Sequence, residues 1–491
     1  MNALLRQTNA VSRWLLLLTL LPLSTCSPKP TALQRMQMMG KLVVATTNSP
    51  STCYDGPQGL TGYECDLLQG LAKKLGVKLD LQYFDSTPAT VDAVAAGTVD
   101  LAAASINITP ARQERVRFSR PLQQVVQQLI YNGDDAAPQN LGDLQGELEV
   151  IPGSSGEEVL TAQKAHYPGL KWSPAKPDND VDDLLYQVSK GELDYTIANS
   201  DLVAINQRYY PNLRVAFAVS SKQDLAWALP LGEDASLYNA VQEYLHQMGE
   251  GEMARLHDRY FGHIGETGYQ GVVRFTADVQ ARLPRYRAYF EDAAHRYGLD
   301  WRVVAAIGYQ ESHWDPAAVS PTGVRGIMML TTETAAGLEV ANRENPAQSI
   351  RGGARYFQQI LAQLPPQIAE PDRTWMALAA YNQGVGHLLD ARALAVQLGG
   401  DPNRWLDVRN TLPLLSRERW FKNTRYGYAR GREAVGFVGN VRNYYDMLSW
   451  MTQGESATNK PGASDKAGAP AQPVPARLAA IRSADAPPRA H

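Results

Sequence analysis

At 491 residues the chain is too long for one ordinary domain, and two or three are expected. Its 44% hydrophobic and 20% charged residues fit a globular protein, and a net charge of −3 leaves no basic footprint, which argues against nucleic acid as a partner. With only three cysteines and eight scattered histidines, no metal site and no cofactor is expected.

Residues 1–26 do not read as part of a fold. Arg6 and Arg13 make a basic start, Trp14 to Leu21 an apolar run, and Leu23-Ser24-Thr25-Cys26 a cleavage box. The run is short for a bilayer span, so a secretory signal is the better reading. Cys26 after small residues resembles a bacterial lipoprotein box, although Thr25 is unusual there. Lipid attachment at Cys26 and ordinary cleavage with peripheral membrane association are the two readings. With Ser27 rather than Asp next, an acylated chain would resemble one sorted to the inner leaflet of the outer membrane, on its periplasmic face. Without Cys26, Cys53 and Cys65 remain, close in sequence and in an oxidising compartment, as a disulfide or as two unpaired thiols.

Residues 27–39 read as a linker, and residues 40–263 as α/β. Lys41 to Thr46 is a strand, Asp66 to Leu75 an amphipathic helix, Val77 to Phe84 a strand, Val91 to Ala96 a helix ended by Gly97, and Val99 to Ala104 a buried strand. This alternation suggests parallel sheets. Gly62-Tyr63-Glu64, Ala96-Gly97 with Val99-Asp100-Leu101, and Thr109-Pro110-Ala111-Arg112 followed by Phe118-Ser119 and Pro121 resemble the periplasmic solute-binding proteins of polar amino-acid transporters. The resemblance implies two lobes, roughly 40–125 with 220–263 and the chain between. It implies that Arg112 grips a ligand carboxylate, and a guanidinium can do so through two parallel hydrogen bonds. Ser154 and Ser155, in a Gly-Ser-Ser-Gly turn before a helix, would favour an anion. Where the family supplies an Asp for the ligand's amino group this chain has Asn199, with Asp201 two residues on. A wall-derived peptide is therefore as fitting a ligand as an amino acid. The alternative is a domain that keeps the fold and binds nothing, Arg112 being an ion-pair partner.

Residues 264–273 are glycine-rich and read as a linker. From Phe275 the reading is helical, through Tyr286–Tyr297, Trp301–His313, a long helix opened by Asn345-Pro346, Trp375–Asn382 and Glu433–Trp450. Residues 274–452 are taken as the second domain, and 453–491, rich in Ala, Pro, Ser and Gly, as a disordered tail. Asp300 can N-cap the second of these helices, which carries Val304, Ile307, Gly308 and Glu311 on one face and is stopped by Pro316. A carboxyl at the end of an apolar face has its pKa raised, which suits a group that donates a proton near neutral pH.

Glu311, Ser312, Trp314, Pro316, Ala318, Ser320, Gly323, Gly326 and Met328 resemble the signature of the family 1, soluble-lytic-transglycosylase-like murein transglycosylases. Asn345-Pro346 with Gly353, Tyr356 and Phe357, then Ala379-Ala380-Tyr381-Asn382-Gln383-Gly384, and more loosely Glu433 to Tyr445, resemble its later blocks. Met329 stands where many relatives carry Gln, Ala434 replaces a usual Thr and Phe437 a usual Tyr. The resemblance implies a mainly α, lysozyme-like domain behind an α/β two-lobed one. It makes Glu311 the catalytic acid and base, with Ser320, Met328, Tyr381 and Asn382 at the glycan, and Tyr444 and Tyr445 in core or cleft. The substrate implied is the glycan strand of peptidoglycan, cut between N-acetylmuramic acid and N-acetylglucosamine with formation of 1,6-anhydro ends. A muramidase hydrolysing the same bond, and a non-catalytic wall-peptide receptor, are the competing readings.

Overall fold

The structure is a computed structural model that describes residues 29–56, 59–177, 179–263, 269–320 and 323–452. Its amino-terminal part holds two mixed sheets. In the first, strands Lys78–Tyr83, Lys41–Thr46 and Leu101–Asn107 run parallel. Gln223–Pro230 then pairs antiparallel with Leu101–Asn107 and carries Val116–Phe118 and Gln123–Val125 on its other edge. In the second, Ser173–Pro174, Leu148–Val150 and Tyr195–Asn199 are parallel, and Gln127–Asn132 runs antiparallel between Tyr195–Asn199 and Leu213–Ala218. Both sheets are therefore mixed rather than parallel. The chain passes from the first sheet to the second around Val126 and returns between Ala218 and Gln223, and the strands laid down just after each passage, Gln127–Asn132 and Gln223–Pro230, are the antiparallel ones. Leu101 to Ala104 is buried throughout, as befits a central strand covered on both faces.

Several elements begin earlier than sequence patterning indicates. Ser86 caps a helix at Thr87–Ala95, because its hydroxyl accepts the Ala89 N–H. Residues 27–39 are not all linker: Thr31 and Gln34 form a capping box for the helix Ala32–Met39. That helix buries Met36 in the first sheet's core and docks its N-terminus through Leu33 N–H on Ser236. Ser236–Phe261, broken at Gly249, then leads towards the second domain.

That domain is helical: Tyr269–Ala281, Leu283–Tyr297, Trp301–Ser312, Pro346–Gln363, Asp372–Gln383, Val385–Gln397, Trp405–Thr411 and Gly431–Met451, with short turns between. Tyr269–Ala281 occupies the second half of the stretch read as a linker, because Val272 and Phe275 are core residues. The Trp301–Ser312 helix is central. Val303 to Tyr309 is buried without interruption, so an apolar stripe understates it: the helix is surrounded. Tyr309 meets Phe275 and Tyr444 edge-on at 4.6 and 4.8 Å between centroids. Tyr444 is thereby core.

The two domains meet through a buried ionic cluster. Asp446 takes Arg208 at 2.9 Å and His263 at 2.6 Å, Arg409 pairs with Asp258 at 2.6 Å, and the Arg442 guanidinium donates to the Asp258 and Arg259 carbonyls. Burial pushes His263 down to about 3, helped by Arg442 and Arg208. Burial works to raise Asp446, but His263, Arg208 and Arg442 together hold it below the usual carboxylate range. Among the described residues no helix is long and apolar enough to cross a membrane. The residues read as a signal segment with Cys26, and those read as a carboxy-terminal tail, lie outside the described residues.

Candidate active site

Asp300 begins the site by accepting the Arg302 N–H as N-cap. The helix ends at Ser312, before Pro316 is reached. His313 and Trp314 both adopt left-handed backbone (φ 53° and 54°), which swings the Trp314 indole under the helix, where its Nε1–H donates to the Ala305 carbonyl at 2.8 Å. Ser312 is buried, and its hydroxyl lies within hydrogen-bond distance of the Gly308 and Ile327 carbonyls. The turn is thus clamped on both sides of Glu311. Gly326 (φ 82°) passes so close to the Arg343 carbonyl that a Cβ would lie 1.8 Å from it, so only glycine lets the following loop close over the helix.

Glu311 sits half-buried in the last turn. Among the described residues it has no ion-pair partner, and burial alone pushes its carboxyl up to about 8. Tyr381, from the end of Asp372–Gln383, faces it: burial first and the Glu311 charge second push the Tyr381 hydroxyl well above its ordinary value. That hydroxyl donates to the Met328 carbonyl at 3.2 Å. Phe437 stacks on Tyr381 at 6.3 Å and 16°, so position 437 brings a ring and no hydroxyl. Asn382 is exposed beside Tyr381, and Ser320 is half-buried, its hydroxyl accepting the Val324 N–H.

Met328 is corrected: it is not a groove residue. Its side chain is fully buried between Gly308 and Gly353, either of whose added Cβ would press on it, and only its carbonyl serves the site. Tyr445 is likewise away from the carboxyl, its hydroxyl on Asp300. Patterning missed a frame on the other side of the helix. Asp278 accepts the Tyr309 hydroxyl at 3.0 Å and pairs with Arg282, which donates to the His313 carbonyl at 2.9 Å. The Arg274-Asp278-Arg282 spacing at i±4 was its legible signal.

The second candidate site lies between the two sheets of the front domain. Arg112, Ser154, Ser155, Asn199 and Asp201 all line one cleft of 90 Å³. Arg112 is buried and donates to the Asn107 carbonyl of one lobe and the Gly153 carbonyl of the other, with Glu158 at 3.6 Å. Asn199 exchanges amide hydrogen bonds with Asn107 and accepts from Gln127, and the Ser155 hydroxyl donates to Asn107. Ser154 is used as a helix cap. Asp201 accepts from Gln123, and burial pushes it up to about 6. Cys53 and Cys65 are corrected from the disulfide reading: both are buried free thiols, and the neighbouring Cys65, then burial, push the Cys53 thiol far up. Among the described residues no cluster of three or more potential metal ligands occurs.

A two-lobed fold joined to a helical domain, whose Glu311 carboxyl is raised by burial and has no ion-pair partner among the described residues, defines a modular protein of binding-type and enzyme-type parts. Residues 41–263 match the model of bacterial extracellular solute-binding proteins, family 3, and residues 288–401 that of the transglycosylase SLT domain. A membrane-bound lytic murein transglycosylase F of Stutzerimonas stutzeri (strain A1501) is 45% identical over 90% of this chain and 91% of its own. One of Pseudomonas savastanoi pv. phaseolicola (strain 1448A / Race 6) is 43% identical over 95% of this chain and 96% of its own. Among solved structures, an ancestral amino acid-binding protein, a precursor of cyclohexadienyl dehydratase, matches 47% of this chain and all of its own at 25% identity and a TM-score of 0.42. The chain belongs to the membrane-bound lytic murein transglycosylase F family and is a peptidoglycan-cleaving lytic transglycosylase.

Proposed function

We propose that Glu311 is the single acid and base of the transglycosylation. The observation that supports this is its carboxyl, held up to about 8 by burial with no ion-pair partner among the described residues. Such a group is protonated at neutral pH and can give its proton to the oxygen leaving C1 of N-acetylmuramic acid. The substrate's acetamido group supports the oxocarbenium-like state. Glu311, now a base, takes the proton of the same sugar's C6 hydroxyl as that oxygen closes on C1. The C1–O bond to the leaving sugar breaks, the C6–O–C1 bond forms, and the proton passes through Glu311, so no water is consumed. Tethering the nucleophile to the same sugar gives it a large effective molarity. A muramidase would need a second carboxylate to activate water. Among the described residues no other carboxylate shifts Glu311. Tyr381 orients the carboxyl, Asn382 and Ser320 hold the sugar, and Met328 acts through its carbonyl.

Mass spectrometry of muropeptides released from purified murein tests this. Residues 27–491 should yield ends lighter than hydrolysis products by one water, and Glu311→Gln should yield none. Reducing ends would overturn the reading. The front domain takes a wall-derived peptide or amino acid between its lobes, with Arg112 on a carboxylate and Ser154, Ser155, Asn199 and Asp201 around it. Lobe movement passes to the enzyme through the Asp446 cluster. Equal activity with and without every such peptide would sink that part. The chain sits in the periplasm at the inner leaflet of the outer membrane, anchored through Cys26. Globomycin-sensitive processing of the full chain would test the anchor.

A further inference from the structure

Residues 417–430, between Trp405–Thr411 and the last helix, form a basic, aromatic strap. They carry Arg417, Arg419, Lys422, Arg425 and Arg430 against Glu418 alone, in a chain of net charge −3. All of these side chains are exposed. Tyr426 and Tyr428, 46% and 55% exposed, stand among them. The strap is held in shape. The buried Asp390 carboxylate accepts the Arg425 and Tyr426 N–H groups at 3.1 and 2.8 Å, Tyr428 meets Phe421 edge-on at 5.6 Å, and the Arg425 guanidinium lies 5.4 Å from the Tyr426 ring centre.

Its position is set by a close approach. A Cβ on Gly386 would come within 2.5 Å of the Tyr426 ring, so the ring lies directly on that backbone, beside His387. Gly386 is the second residue of Val385–Gln397, which follows the Tyr381-Asn382 end of the preceding helix after one turn. The strap therefore lies against the start of the helix that follows Tyr381 and Asn382 in the chain. Exposed aromatic rings take the apolar faces of sugars, and Arg pairs with carboxylates through parallel hydrogen bonds. Peptidoglycan offers both, since its sugars bear stem peptides ending in carboxylates.

We propose that the 417–430 strap is an outer binding platform for the glycan strand, on which Tyr426 and Tyr428 stack against sugar rings beyond the scissile bond while Arg419 and Arg425 pair with stem-peptide carboxylates. The strap makes the enzyme favour long, peptide-bearing strands. This rests on the reading of the Glu311 cleft as the glycan-cleaving site.

The test uses the full chain with Tyr426→Ala/Tyr428→Ala, with Arg419→Gln/Arg425→Gln, and with Tyr426→Phe as the control that keeps the ring. On intact sacculi the tyrosine pair should lose about tenfold in kcat/KM, through KM. On a soluble substrate of two disaccharide units, which the proposal places short of the strap, it should lose about twofold or less. The arginine pair should lose affinity for intact sacculi at low salt, lose less at high salt, and behave as the unaltered chain on glycan stripped of its peptides by an amidase. Tyr426→Phe should bind sacculi normally. Equal losses on short and long substrates, or none on either, would overturn the platform. Failure of the Glu311 reading would appear separately, as anhydro ends still released by Glu311→Gln.

Discussion

Glu311 and Arg112 are both ionisable groups taken out of water, one in each domain, and the molecule treats them oppositely. Arg112 is met by two carbonyls and Glu158, and although burial lowers its pKa, Glu158 opposes the shift. Glu311 is met by apolar walls and a tyrosine, and nothing opposes the rise. A buried charge with partners holds structure together, here one lobe to the other. A carboxyl without ion-pair partners among the described residues stays neutral at neutral pH and is suited to give a proton.

The comparison is broken most directly at Glu311. Glu311→Gln should lower the rate of anhydro-end formation at least about 10³-fold, measured by muropeptide chromatography, while circular dichroism stays unchanged. The same substitution should raise stability at pH 8. A carboxyl whose folded pKa is raised from 4.5 to about 8 makes the native state bind more protons than the unfolded one in that window, so its stability falls as pH rises through it. Glutamine removes that slope. The gain expected in denaturant unfolding at pH 8 is about 2 kcal/mol after discounting for partial exposure.

Arg112→Met should instead cost about 3 kcal/mol of front-domain stability, by leaving the Gly153 and Asn107 carbonyls and Glu158 without their donor. Anhydro ends should still form. An activity loss as large as that of Glu311→Gln would collapse the distinction between the two sites.

The remaining predictions sharpen it. Tyr381→Phe keeps the ring and removes the donor to the Met328 carbonyl, so kcat should fall about tenfold with KM nearly unchanged. At the domain junction the sign is the reverse of Glu311. His263 is held neutral down to about 3, so the native state binds fewer protons than the unfolded one between there and its ordinary 6.5. Stability should drop as pH falls through that window. In His263→Gln the slope should flatten by up to one proton, read from Tm against pH.

Much of this was legible beforehand. The strands around Lys41–Thr46, the caps at Asp300 and Asn345, and the glycine spacing after Glu311 are local signals, and local signals survive because they depend on neighbours along the chain. Met328 was misplaced because a motif resemblance carries a residue type to a position without saying which wall its side chain packs on, and Gly353, which seats it, is distant in sequence. The helix Ala32–Met39 was missed because its core comes from Ser236–Phe261, two hundred residues on.

By itself, then, the sequence determined the α/β and helical classes through short-range spacing and composition, while motif resemblance supplied the two-domain order and pointed to Glu311 and the aromatic-amide block at Tyr381-Asn382. Tertiary structure alone decided how the Glu311 carboxyl is tuned, since a pKa follows from which side chains crowd a group and not from which residues flank it. It also decided that Arg112 joins the lobes, that Asp446 and Asp258 join the domains, and that the 417–430 strap lies against Gly386. Each of these is a contact between residues far apart in the chain, fixed only when packing brings them within reach.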